Sequence, residues 1–176
     1  MKKILFCLVT MLLVASCAMN SVKTTNPAQV SFNFEGNGYS ALTFWRKINP
    51  DGSKGSVFSV GGNSRANLML NMGFKQPQTE IMNLDAGTYF LDSFQITDTE
   101  TGGFIVSEGK HYLFRNGWDK GKNKPYFLSF TVKEGETLTL PKVVILAKKD
   151  GSNATFRFEF EDKDNVFTVG EKAKQF

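Results

Sequence analysis

The chain has 176 residues, with 21 Lys and Arg against 17 Asp and Glu, a formal net charge of +4. That balance leaves no electrostatic footprint for nucleic acid, and no block of about five or six like charges marks an interaction tail. Both cysteines, Cys7 and Cys17, lie near the N-terminus. A thiolate metal site, a disulfide framework and a Cys nucleophile are therefore excluded from the rest of the chain.

Met1-Lys2-Lys3 precedes an apolar run from Ile4 to Ala15, then Ser16 and Cys17. A positive start, a short apolar stretch and small residues before a cleavage point form the layout of a secretory signal. The run holds roughly 12 residues, short of the about 20 that a spanning helix needs. Val14-Ala15-Ser16-Cys17 resembles the lipobox of bacterial lipoproteins. The resemblance implies that residues 1–16 are removed, that Cys17 receives a diacylglycerol thioether, and that its new amino group takes a fatty acyl chain such as palmitate. It implies a lipid-anchored protein of the bacterial cell envelope whose first partner is membrane lipid. Ala18 stands where an Asp is associated with inner-membrane retention, so a diderm cell is expected to carry the protein on its outer membrane. Cys7, Lys2 and Lys3 leave with the signal, and the remaining charge is +2, from 19 Lys and Arg against 17 acids.

The following residues, 17–28, are polar and read as the lipidated Cys and a short tether. About 11 flexible residues reach roughly 17–20 Å. Strand signals then dominate. Gln29 to Phe34 alternates Val30, Phe32 and Phe34 with polar residues, and Tyr39 to Ile48 follows the Gly36-Asn37-Gly38 turn. Asn49-Pro50-Asp51-Gly52 is a strong turn, because Pro presets φ and Gly accepts a positive one. Further strands are expected at Gly55–Val60, Ala66–Met72, Thr79–Leu84, Thr88–Ile96, Phe104–Ser107, Lys110–Phe114, Tyr126–Lys133 and Thr137–Ala147. Pro141 should bulge the last of these or place it on an edge. Asp150-Gly151 signals a hairpin, and it leads to the cleanest pattern in the chain. There Phe156, Phe158 and Phe160 alternate with Arg157, Glu159 and Glu161, as a half-buried strand requires. Val166–Val169 adds a last strand, and 171–176 is expected to be a frayed tail.

Short strands with turns every 8–12 or so residues, and no helical apolar period, predict an all-β domain over residues 29–170. The expected form is a single antiparallel β-sandwich, immunoglobulin-like or transthyretin-like, with a barrel as the alternative. Two segments support it by likeness. Leu84-Asp85-Ala86-Gly87-Thr88-Tyr89 resembles the hairpin of transthyretin-like and carboxypeptidase-regulatory-like sandwiches. Phe130 to Thr137, centred on Glu134-Gly135-Glu136, resembles a turn of small β-sandwich lipoproteins. Both likenesses imply architecture and carry no catalytic residues. The 17 phenylalanines point to an aromatic sheet core in place of covalent staples.

No catalytic motif is present: no G-x-S-x-G elbow, no H-E-x-x-H and no phosphate-binding loop. His111, the only histidine, sits in a strand pattern. The acidic run Glu159, Glu161, Asp162 and Asp164 lacks the ligand spacing of a calcium loop and reads as a solvated strand end. No cofactor and no metal are expected, and Trp45 reads as core. The segment Arg115 to Lys124 differs. It is turn-rich and sets Trp118 among Arg115, Lys120, Lys122 and Lys124, so it is the expected contact surface, with the Trp ring at least partly exposed. The resulting expectation is a non-enzymatic binding or structural module, whose partner is an envelope protein or a glycan. Three alternatives stand beside it. One is a carbohydrate- or peptidoglycan-binding module using Trp118 with Tyr112 or Tyr126. Another is a carboxylate-based hydrolase, and the third an accessory subunit of an envelope complex.

Overall fold

The computed structural model describes residues 24–36, 39–61, 78–98, 110–150 and 153–174. Cys17 with its signal, and the strands expected at Ala66–Met72 and Phe104–Ser107, lie outside these residues. Two sheets face each other across an aromatic core, and among the described residues neither closes into a barrel. The expectation of an all-β sandwich is met.

Strand β1 (Ala28–Gly36) is the spine of the first sheet. Its even-numbered side chains are buried and its odd-numbered ones less so, as the Val30-Phe32-Phe34 alternation requires. Two short strands, β2 (Tyr39–Ser40) and β5 (Gln78–Leu84), pair with it antiparallel. On its other edge lie β11 (Thr137–Thr139) and then β12 (Val143–Asp150), both parallel to β1. The register steps from Ser31↔Thr139 to Phe34↔Val143, which leaves one extra residue around Pro141. The bulge expected at this proline is therefore real: without an N–H, Pro141 cannot continue the ladder. The hairpin partner of β12 is β13 (Asn153–Phe160), which ends the sheet.

The second sheet is laid out as β14 (Thr168–Val169), β10 (Leu128–Val132), β6 (Gly87–Asp98), β3 (Leu42–Ile48) and β4 (Lys54–Gly61). Strand β7 (Lys110–Phe114) pairs with the far half of β6. A separate hairpin of β8 (Trp118–Asp119) and β9 (Lys124–Pro125) joins β7 to β10.

Parallel pairing of β1 with β11 and β12 is the departure from a purely antiparallel reading. The intervening chain crosses to the second sheet and returns, which is the long connection that parallel neighbours need. The segment that resembles a hairpin, and the Glu134-Gly135-Glu136 turn, are both corners between the sheets. Asp85-Ala86 passes the chain from β5 in the first sheet to β6 in the second, and Lys133–Glu136 passes it back from β10 to β11. Gly135 holds φ at 69°, a left-handed value that a β-carbon would strain.

Both ends of the domain are tied down more firmly than composition implies. The expected tether is pinned from Thr24 onward, where Thr24 N donates to Asp85 Oδ1 at 3.0 Å and Thr24 Oγ1 to Glu134 Oε1 at 2.7 Å. Ala28 is already buried in β1. At the other terminus Glu171–Ala173 forms a 3-10 turn, not a frayed tail. Lys172 N donates to Tyr126 O, and Ala173 is buried.

The core is two groups of rings. Phe32 meets Trp45 at 5.4 Å and Phe130 at 5.7 Å, both across the sheet interface and both edge-on. Phe94 meets Phe127, Phe156 and Phe158 at 5.3, 4.9 and 5.4 Å. Each fully buried Phe contributes about 2–3 kcal/mol, and such ring pairs add about 0.5–1.5 kcal/mol more. A polar chain within this layer is closed. Trp45 Nε1 donates to Thr43 Oγ1 at 3.0 Å, and Thr43 Oγ1 donates to Val60 O at 2.9 Å. Thr43 is therefore buried without an orphaned group.

Phe158→Ala should destabilise the domain by about 3–5 kcal/mol, read from urea unfolding, whereas Arg157→Ala, on the opposite face, should change stability by less than about 0.5 kcal/mol. The Tyr89 hydroxyl donates to Asp85 O at 2.7 Å. Burial first, and the Asp85 charge second, push its pKa well above the usual 10.0. The folded value lies above the unfolded one, so its contribution is complete below about pH 10 and fades as pH rises further. Tyr89→Phe should accordingly lose less stability than wild type between about pH 9 and 11.5.

Candidate functional site

The 115–125 segment reaches its place through an irregularity in β6. Phe44 pairs with Ser93 but Trp45 pairs with Leu91, so Asp92 is an extra residue in the strand. The bulge resets the alternation. Tyr89 and Leu91 point into the core on one side of it, and Phe94 and Ile96 on the other. Phe90 and Asp92 are left on the outer face, away from the other sheet. Phe90 is nevertheless fully buried, because the β8–β9 hairpin covers it. The Trp118 ring lies 5.4 Å from the Phe90 ring at 37°. Gly117 allows that approach: a β-carbon there would stand 2.1 Å from Leu91 O and 2.4 Å from Asp92 Cα. Tyr126 N closes the base of the hairpin by donating to Gly117 O at 2.8 Å.

Beside the two rings sits a compensated ionic cluster. The Asp92 carboxylate, 17% exposed, takes Lys54 Nζ at 3.0 Å on one oxygen and Arg46 Nε at 3.2 Å on the other. The Arg46 approach is an ion pair and lacks hydrogen-bond alignment. Its Nη1 donates instead to Gly55 O at 2.9 Å. Lys54 Nζ also lies 5.7 Å from the centre of the Phe90 ring, within cation–π range.

The structure separates the expected contact residues into two kinds. Trp118 is half-buried, and its Nε1 is enclosed with no hydrogen-bond partner among the described residues. Its ring lies over Phe90 and is held by packing. Lys122 pairs with Asp119 at 3.7 Å. Lys124 pairs with Glu171, and that hydrogen bond, then the charges of Lys124 and Lys122, hold the Glu171 carboxyl below its ordinary pKa. Asp119 also accepts from Gly121 N, Lys122 N and the Tyr126 hydroxyl, which fixes the tip of the hairpin. Arg115 and Lys120 remain as exposed cations at its two ends. Lys120 lies close enough to Asp51 to help lower its pKa, after the stronger effect of the Ser53 hydrogen bonds.

The remaining candidates take ordinary places. The backbone of His111 pairs with Thr97 in the ladder. Tyr112 pairs with Ile96, an inward position, so it does not share a face with Trp118. Tyr126 lies under Lys172 Nζ, 5.5 Å from its ring centre. Asp162 accepts from Val166 N and Phe167 N at 2.8 Å each, so its two oxygens build the turn into β14. Trp45 is core, as expected. Sequence reasoning missed Phe90, Asp92, Arg46 and Lys54. Asp92 and Lys54 are far apart in the chain, and the bulge that joins them leaves no mark in composition. The one legible hint is that Tyr89-Phe90-Leu91 is apolar at three successive positions, one more than a strand with a single buried face requires.

The described residues thus define an all-β sandwich carrying a tryptophan-centred hairpin on one outer face. No protein-family model, curated protein or solved structure matches the chain.

Trp118→Ala should uncover Phe90 and lower stability by about 1–3 kcal/mol, below the about 3–5 kcal/mol of a fully buried Trp. Lys120→Ala should leave the urea midpoint unchanged. Equal, negligible effects of both would show that the ring is not holding the hairpin to the sheet.

Proposed function

We propose that the protein is a bacterial envelope lipoprotein whose sandwich is a non-enzymatic binding or structural module, held at a membrane by acylated Cys17. The observation that carries this reading is the N-terminal order itself: Lys2-Lys3, an apolar run too short to span a bilayer, then Ala15-Ser16-Cys17. A single acyl chain binds a membrane marginally, whereas two or more anchor it stably. The sandwich has its own aromatic core and begins at Thr24, which suits a domain displayed close to its anchor. By the same reading the outer membrane is the expected site in a diderm cell.

Within the module, the contact surface we propose is the β8–β9 hairpin. Trp118 gives it rigidity by packing on Phe90. The exposed Arg115 and Lys120, with Lys122 and Lys124 behind them, offer cations to an anionic envelope protein or glycan. A rigid loop with exposed charge at its ends binds without a large ordering cost.

Expression of the wild-type chain and of Cys17→Ala in a lipoprotein-processing bacterium provides the test. The wild type should partition with membranes, and mass spectrometry should show a processed N-terminus bearing acyl chains on residue 17. Cys17→Ala should appear in the soluble fraction or as unprocessed precursor. An unmodified Cys17 in processed wild-type protein would refute the reading.

A further inference from the structure

The chain enters the sandwich at one end, and elements distant in sequence meet there. Thr24 is fixed to Asp85 and Glu134, which sit on the two corners that join the sheets. Val132, at the end of β10, pairs with Gly87 at the start of β6. Lys47 of β3 pairs with Tyr89, so the β3–β4 turn closes over the same end. The tip of the β8–β9 hairpin stands beside that turn. Asn123 Oδ1 is 4.0 Å from where a β-carbon of Gly52 would be, and Lys120 acts on the charge of Asp51. At the opposite end Gly36 pairs with Tyr39 and Asp150 with Asn153.

The orientation of the domain on a membrane rests on the anchoring of Cys17 proposed above. Acylation holds residue 17 at the lipid headgroups. Seven peptide steps separate it from Thr24, and in any conformation they span at most about 25 Å. The domain is longer than that, since the 12 residues of β6 extend about 36–40 Å. An inverted domain, with the Asp150–Asn153 hairpin on the bilayer, would lift Thr24 beyond the reach of its anchor. We infer that the membrane surface bearing Cys17 is the docking partner of the end formed by Thr24, the β3–β4 turn and the hairpin tip, and that the Asp150–Asn153 end points away.

Charge is secondary to chain length in this arrangement. Lys120 and Lys133 at this end are exposed, but Asp51, Glu134 and Asp85 lie among them. Each of these acids accepts an internal hydrogen bond, from Ser53 or Thr24. Lipid phosphates therefore meet a surface of nearly balanced charge, and the orientation should survive salt that screens surface charge. The hairpin tip then lies against the anchoring surface, and a soluble partner would meet Arg115 more readily than Lys120.

Energy transfer from a thiol-linked dye to an acceptor on lipid headgroups tests the orientation. The acylated full-length product is reconstituted in phosphatidylethanolamine and phosphatidylglycerol vesicles, with the donor on Lys120→Cys or on Thr155→Cys, both exposed positions. Transfer from position 120 should exceed that from position 155 at least twofold, at low salt and at about 0.5 M salt alike. A Gly/Ser insertion of some 20 residues between Val22 and Lys23 should erase the difference. Mass spectrometry of the same samples separates the two claims. With Cys17 acylated, equal transfer or stronger transfer from position 155 overturns the orientation and leaves the anchor standing. An unmodified Cys17 overturns both.

Discussion

Everything else in the domain depends on the seating of the Phe32 ring against Trp45 and Phe130. Phe32 belongs to the first sheet, and its two partners to the second. Without disulfides, the sheets are held face to face by this ring contact and by the second group around Phe94. Edge-on packing lets bulky rings interdigitate at near-interior density, so few aliphatic residues are needed between them. The strand that carries Phe32 also receives the chain from the N-terminal segment and pairs with β5 on one side and with β11 and β12 on the other. Core packing and the point of chain entry are thereby fixed by the same element.

A single inserted residue governs what the outer face can carry. Had β6 run without the Asp92 bulge, Phe94 and Ile96 would point outward and the second ring group could not form. The bulge turns them inward and leaves Phe90 outside. That outside ring is then covered by Trp118, and Gly117 brings the covering hairpin hard against the strand. The place of this hairpin on the outer face is thus a consequence of core register. The ionic group of Arg46, Asp92 and Lys54 fills the flank of the same irregularity.

Much of this was legible in the chain because the information is local. Phe156, Phe158 and Phe160 alternate visibly and do face the core, and Asn49-Pro50-Asp51-Gly52 does close a hairpin, with Gly52 at φ 75°. Pro141 announced its own bulge. What was not legible is non-local. Asp85-Ala86 and Glu134-Gly135 have the residues of hairpin turns, yet each crosses between sheets, because turn chemistry sets chain reversal and not which strand comes next. The parallel pairing of β1 with β11 joins residues more than a hundred positions apart. At the hairpin, composition placed Trp118 and its lysines together in a loop. It could not show that Phe90 waits beneath the ring, or that Glu171, from the chain terminus, pairs with Lys124.

Native-state hydrogen exchange tests most directly whether the β1 ring contact organises the domain. Amides of β1 from Val30 to Phe34, and those of β3 and β6 opposite them, should exchange only through global unfolding. The β8–β9 hairpin should open earlier, by a local route with a smaller free energy. Fast exchange in β1, or a hairpin as protected as β1, would contradict this account.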